Sequence, residues 1–255
     1  MQVAPLHIEQ QGQGPSLVLL HGWGVNSAVF GPLAQELSQH YTVLNIDLPG
    51  FGDSPICFGG LAQWTDMIAA QLPDKVIVLG WSLGGLVAMD LAIKYPNKVS
   101  KLITVASSPC FMANETQQWP GIAPKILEQF LHQLSLHTDK TIERFLAIQA
   151  MGSEDARADI KQLKQLLETK PKAQPIALNQ GLEMLQDVDL RQQISEISQP
   201  WLRIWGRLDG LVPKRVIELM PDNGDNEILA KASHAPFISH RHECIQKLYK
   251  WLLIN

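Results

Sequence analysis

The chain predicts an α/β fold with a mostly parallel central sheet flanked by helices and a helical cap inserted between sheet strands. Two observations carry this. Short runs rich in Val, Ile and Leu alternate with helical patterns, at residues 17–20, 43–47, 75–79, 101–105, 201–205 and 227–230. Near-continuous apolar runs of this kind suit parallel strands buried on both faces. Between residue 107 and about 199 the rhythm stops, and helical stretches take over at 123–136, 139–150 and 154–169. Helices inserted there read as a cap over the sheet's carboxyl edge, where such folds bind ligands. The expected organisation is one α/β domain over 1–255, with the cap at about 110–190.

Composition sets the outer bounds. With 255 residues, 45% of them hydrophobic, the chain can bury a sizeable core. Twenty-one Lys and Arg against 25 Asp and Glu leave a net charge of −4, without the basic excess of a nucleic-acid binder. The three cysteines, Cys57, Cys110 and Cys244, are odd in number and form no C-x-x-C pair. Free thiols in a reducing compartment are therefore expected, and no metal site or cofactor is. No apolar run approaches the roughly 18 residues of a spanning helix, and residues 1–14 lack the apolar core of a signal peptide. A cytoplasmic monomer that meets neither membrane nor nucleic acid is the expectation.

The first strong strand closes on His21-Gly22-Trp23-Gly24. Its glycines allow the close backbone approach that an oxyanion site needs, and the Trp23 amide is the simplest donor there. His21 reads as structural. The second strand ends at Asp47, which reads as a turn-former. The third runs into Gly80-Trp81-Ser82-Leu83-Gly84-Gly85, followed at once by a helical pattern over 83–95. A serine hydroxyl is a poor nucleophile unless it stands exposed beside a base. A tight strand-to-helix turn presents Ser82 in that way, and the Leu83 amide becomes the second oxyanion donor.

In strand–elbow–helix arrangements of this type the acid follows the nucleophile and the histidine comes last. His234, in Ala232-Ser233-His234-Ala235-Pro236-Phe237, lies directly after the last strand-like run. His240 and His242 fall among charged residues where the final helix begins, and are expected to be solvated. Asp209 follows the 201–205 strand through Gly206-Arg207-Leu208 and is favoured as the acid that orients His234. Asp187 and Asp189 are alternatives that precede that strand.

These residues, with Leu48-Pro49-Gly50-Phe51-Gly52-Asp53-Ser54, resemble the α/β-hydrolase superfamily. More specific strings narrow the resemblance: Val105-Ala106-Ser107-Ser108-Pro109-Cys110-Phe111, Trp119-Pro120-Gly121-Ile122, Glu143-Arg144-Phe145-Leu146-Ala147-Ile148-Gln149, Gly206-Arg207-Leu208-Asp209-Gly210-Leu211-Val212-Pro213 and His234-Ala235-Pro236-Phe237-Ile238-Ser239-His240. From about Gly12 onward the chain is similar to the pimeloyl-[acyl-carrier protein] methyl ester esterases of biotin synthesis. That resemblance implies a serine carboxylesterase that releases methanol and leaves pimeloyl-carrier protein. It puts the triad on Ser82, Asp209 and His234. Substrate contacts fall on Trp23, Ser82, Leu83, His234 and the segment Phe145, Leu146, Ala147, Ile148 and Gln149. Contacts to an acyl-carrier protein fall on Arg144 and Arg157, and on Lys140 and Lys161 where the family pattern has arginine. Lysine keeps the charge but loses the bidentate fork.

Helical spacing adds that Arg157, Lys161 and Lys164 share one face, as do Lys140 and Arg144. Solvated faces are the bland alternative for them, just as cap packing is for Phe145 and Ile148. Two other readings of the chain stay open: a general carboxylesterase for short acyl esters, and a non-catalytic binding protein of the same fold.

Overall fold

Runs of Val, Ile and Leu, apolar on both sides of the backbone, form the centre of the structure. The computed structural model describes residues 4–150, 153 and 155–254. Its strands are β1 (Ile8–Gln11), β2 (Ser16–Leu20), β3 (Thr42–Ile46), β4 (Val76–Trp81), β5 (Val99–Val105), β6 (Trp201–Gly206) and β7 (Asp225–Leu229). They pair in the order β1-β3-β2-β4-β5-β6-β7. All neighbours are parallel except β1, which runs antiparallel to β3. The six anticipated strands are present within a residue or two of their expected ends. β1 was not anticipated, because Ile8-Glu9-Gln10-Gln11 is a largely exposed edge with no apolar alternation to read.

Successive side chains of a strand leave opposite faces, and the core divides accordingly. Val18, Leu20 and Val78 join one apolar cluster, while Leu17, Leu19, Ile77 and Leu79 join the other. The first is covered by α2 (Leu61–Ala69) and α3 (Leu83–Lys94), the second by α1 (Gly31–Leu37) and the terminal α9 (Arg241–Ile254). The short α8 (Pro236–Ser239) precedes α9.

Between β5 and β6 lie α4 (Pro124–Leu136), α5 (Thr138–Gln149), α6 (Ala156–Leu167) and α7 (Pro175–Asp187). The expected start of α6 at Glu154 lies outside the described residues. Helix α7 was not anticipated, although Pro175 in its first turn and the buried Leu178, Leu182 and Leu185 at helical spacing are its signature. Among the described residues, no helix is long and apolar enough to cross a membrane.

The insertion is tied to the sheet by charge as well as by apolar contact. Lys170, on the α6–α7 connector, places its Nζ 3.0 Å from Asp47 Oδ2 and 2.6 Å from Glu9 Oε1. Asp47 is fully buried and also accepts the amides of Ser27 at 2.8 Å and Asp53 at 3.1 Å. It is therefore a hub joining three loops and not simply a turn-former. Burial works against the Lys170 charge, but the bonds to Glu9 and Asp47 outweigh it and raise the ammonium above its ordinary value.

Removing one partner of a buried ion pair strands the other charge. Lys170→Met should therefore cost about 3 kcal/mol, the low end for such pairs because Asp47 keeps its amide donors. Urea denaturation checks this through the midpoint at unchanged slope. A loss within about 1 kcal/mol would place the pair with exposed ones.

Candidate active site

The chain moves from β2 to β3 on one side of the sheet and then to β4 on the other, so the strand order reverses beside β2. Leu20 of β2 stands opposite Gly80 of β4. The loops leaving these two strands therefore emerge side by side at the carboxyl edge, the crevice where open α/β sheets bind ligands. His21 to Gly24 come from the first loop, and Ser82 from the second.

Ser82 sits between β4 and α3 at φ 54° and ψ −120°, a strained conformation for a residue with a side chain. Its surroundings over-determine it. Its N–H donates to the Val105 carbonyl at 3.0 Å, and its carbonyl accepts from Ser107 Oγ at 2.8 Å and from the Gly85 amide at 2.9 Å. A Cβ on Gly80 would overlap the Gly84 carbonyl, and one on Gly84 would overlap that of Leu20. The turn can close this tightly only with glycine on both sides of Ser82. Sequence reasoning missed Ser107, whose one signal is its position directly after β5.

His234 Nε2 lies 2.9 Å from Ser82 Oγ, and its Nδ1 lies 2.8 Å from Asp209 Oδ2. All three residues are at most 7% exposed. Asp209 Oδ1 accepts the amides of Leu211 at 2.8 Å and Val212 at 3.0 Å, which orients the carboxylate. With Nδ1–H donating to Asp209, Nε2 is left to accept the Ser82 proton, the arrangement of a base-activated nucleophile. The alternative acids are placed elsewhere: Asp187 is exposed, and Asp189 is held by Arg191 at 2.8 Å. His242 is exposed, while His240 is half-buried against Ser239 Oγ at 2.9 Å.

Trp81 carries a role that its place in the elbow did not reveal. Its indole N–H donates to the His234 carbonyl at 2.7 Å, and its ring meets Phe237 edge-on at 5.0 Å. The neighbour of Ser82 thus holds the loop that carries His234. The insertion holds that loop too, because the His234 amide donates to the Gln149 carbonyl at 3.3 Å.

Trp23 and Leu83 are both fully buried, and among the described residues neither amide donates a hydrogen bond. Two buried, unused N–H groups beside a serine can receive a developing oxyanion. The Trp23 indole is fixed by its bond to the Leu178 carbonyl at 2.8 Å and by an edge contact with Phe145, centroids 4.8 Å apart.

Helix geometry separates the five residues from Phe145 to Gln149. Phe145, Ile148 and Gln149 share a face, and Gln149 is wholly buried, with neither side-chain amide atom finding a hydrogen-bond partner among the described residues. Leu146 packs into the other apolar cluster, with Val25 and Phe237. Ala147 is exposed about half a turn from Phe145.

Lys140, Arg144, Arg157 and Lys161 are all exposed. Arg144 donates to Gln133 Oε1 at 3.1 Å and lies over the Phe130 ring at 5.6 Å. Lys164, on the same face of α6 as Arg157 and Lys161, pairs with Glu143 at 2.8 Å. A cavity of about 460 Å³ between α5, α6 and the α6–α7 connector reaches Gly24 but does not include Ser82. His7, Asp47 and Asp53 converge as metal ligands might, but the Lys170 ammonium already lies 3.0 Å from Asp47 and 3.9 Å from Asp53.

Comparison with known proteins places the chain in a family. A family model described as the alpha/beta hydrolase fold matches residues 15–240. A pimeloyl-[acyl-carrier protein] methyl ester esterase of Shewanella oneidensis is 60% identical over 250 residues, covering 97% of this chain and 95% of its own. A protein of the same name from Aeromonas salmonicida is 53% identical, covering 94% and 96%. Among solved structures, an esterase from Exiguobacterium antarcticum superposes with a TM-score of 0.86 at 22% identity, covering 96% of this chain and 94% of that one. A bromoperoxidase from Bacillus anthracis gives 0.80 at 21%, covering 98% and 96%. At such identities the likeness is one of fold.

The packing of α7 on the Trp23 ring yields a test. A Cβ on Gly181 would lie 2.6 Å from Trp23 Cδ1 and 3.1 Å from Leu83 Cδ2. Gly181→Ala should displace both residues and lower turnover of a chromogenic ester by about 10- to 100-fold, as sub-ångström misplacement does. Steady-state kinetics beside a thermal melt check it, and unchanged kcat would show that the indole position does not matter.

Proposed function

The chain belongs to the α/β-hydrolase fold family and, within it, to the pimeloyl-[acyl-carrier protein] methyl ester esterases, and we propose that it hydrolyses that methyl ester through Ser82, His234 and Asp209. The observation that carries this is the pair of hydrogen bonds at 2.9 and 2.8 Å that link the three residues in the order a serine esterase needs.

Ser82 Oγ attacks the ester carbonyl while its proton passes to His234 Nε2, and the oxyanion is received by the Trp23 and Leu83 amides. The tetrahedral intermediate collapses, the C–O bond to the methoxy group breaks, and methanol leaves with the proton from His234. Water then repeats the sequence on the acyl-enzyme and frees pimeloyl-carrier protein. Asp209 keeps Nδ1 protonated and offsets the imidazolium charge at each stage. Phe145 and Ile148 supply apolar surface for the acyl chain. The Gln149 side-chain amide, buried without a partner among the described residues, offers a polar anchor to a bound ester.

The helices between β5 and β6 act as a cap within a single α/β domain. Lys140, Arg144, Arg157 and Lys161, exposed on α5 and α6, receive an acidic acyl-carrier protein, which is the partner of a monomeric enzyme. The three free cysteines suit a cytoplasmic setting.

Two measurements test this reading. Ser82→Ala should lower ester turnover by on the order of a million-fold while the protein stays folded, and fluorophosphonate should label the wild type but not the variant. Activity near wild type in folded variant would rule out Ser82 as nucleophile. Arg144→Glu combined with Arg157→Glu should lower kcat/KM on pimeloyl-carrier protein methyl ester by roughly tenfold at low salt, with less effect at high salt. A small chromogenic ester should be unaffected. Equal loss on both substrates would point to a damaged cap, and loss on neither to a general esterase.

A further inference from the structure

We infer that His21 is a positioning residue of the oxyanion hole, aiming the Trp23 amide by holding the other end of the same peptide group. The inference rests on the reading of the Trp23 N–H as an oxyanion donor.

His21 is fully buried and takes no part in the Ser82–His234–Asp209 chain. Both of its ring nitrogens meet backbone: Nδ1 lies 2.8 Å from the Gly22 carbonyl oxygen, and Nε2 lies 3.0 Å from the Leu48 amide nitrogen. A carbonyl can only accept and an amide N–H can only donate. One protonation state satisfies both, the neutral ring with its proton on Nδ1.

The Gly22 carbonyl and the Trp23 N–H are opposite ends of one planar trans peptide. A hydrogen bond that fixes the direction of the carbonyl fixes the direction of the N–H. Among the described residues, no other donor reaches the Gly22 carbonyl. Gly22 itself gives this peptide unusual rotational freedom, and it lies against the nucleophile, since a Cβ there would be 3.2 Å from Ser82 Cβ. His21 supplies the restraint that the glycine lacks.

The ring is itself held. Leu48 anchors Nε2, and Phe51 meets the ring edge-on at 5.3 Å. Its charged neighbours are Asp47 and Lys170. Burial pushes the imidazole down to about 4, against the upward pulls of Asp47 and of the Gly22 bond and with a smaller downward one from Lys170. The ring is therefore neutral at neutral pH. An imidazolium would turn a second N–H onto the Leu48 amide.

Two substitutions separate aiming from packing. Asparagine can set its amide nitrogen near the place of Nδ1 and still donate to Gly22, whereas glutamine carries its amide to the place of Nε2 and leaves Gly22 unbonded. His21→Gln should lower kcat on a small chromogenic ester by about 10- to 100-fold, somewhat less than outright loss of an oxyanion donor, with KM within about twofold of wild type. His21→Asn should recover most of that loss. An acyl trifluoromethyl ketone, whose adduct puts an oxyanion in the hole, should bind His21→Gln more weakly by a similar factor. Equal losses in both variants, tracking their melting temperatures, would overturn the inference in favour of packing. So would wild-type kcat and ketone affinity in His21→Gln.

If the wild type binds the trifluoromethyl ketone no better than the matching methyl ketone, the oxyanion reading itself fails. If it binds better and only the variant's expected loss is missing, the role of His21 alone fails. Nitrogen-15 NMR of the histidines in wild-type protein needs no variant: it should show a neutral Nδ1–H ring for His21 from about pH 5 to 8. An Nε2–H tautomer there would refute the inference.

Discussion

The parallel pairing of β2 with β4 is the constraint on which everything at the site depends. Its register sets Leu20 beside Gly80, so the chain leaves both strands at the same height on the sheet's carboxyl edge. One exit carries the loop from His21 to Gly24 and the other carries Ser82. A register slip would exchange the faces of every side chain in β2 and carry the Trp23 amide away from Ser82. The apolar side chains of β2 and β4 resist that slip, because they divide cleanly between two core clusters.

On this frame the polar groups work through backbone more than through one another. Trp81 holds the His234 carbonyl, Ser107 holds that of Ser82, and Asp209 is oriented by two amides of its own loop. Each is a bond of modest net energy, about 1 kcal/mol, but a costly one to leave unmade in a buried place. Their collective effect is to fix loop geometry. That suits a site whose chemistry needs donors aimed in advance of reaction and not rearranged during it.

The helical insertion supplies the remaining walls. It reaches the site through Phe145 on the Trp23 ring, the Leu178 carbonyl on the indole N–H, Gly181 against Trp23 and Leu83, and the Gln149 carbonyl on the His234 amide. Lys170 ties the same insertion to Asp47 beneath the oxyanion loop. The inserted helices and the loops that carry Trp23 and His234 are thus coupled through short contacts. Of the exposed cations on α5 and α6, Arg144 touches this coupled set through Phe130, whose ring meets Phe145 edge-on at 5.8 Å.

Much of this was legible in order along the chain. Strand character at β2 to β7, the elbow at Ser82 and the late histidine follow from local composition and spacing, because buried strands need apolar runs and a strained turn needs glycine. The edge strand β1 was not legible, since an exposed edge requires no apolar face, and α7 was passed over despite its proline and leucine spacing. In the stretch from Phe145 to Gln149, the motif named five residues, but helical rotation brought only three to one face. The contact of Asp209 with His234, and those made by Trp81, Ser107, Asp47 and Lys170, exist only in the folded chain. Residue type and local spacing determine which groups are able to do chemistry and which segments become strand or helix. Which groups meet is decided by contacts between residues far apart in sequence, such as Ser82 with His234 and Asp47 with Lys170, because distance and direction between them exist only once the sheet has closed.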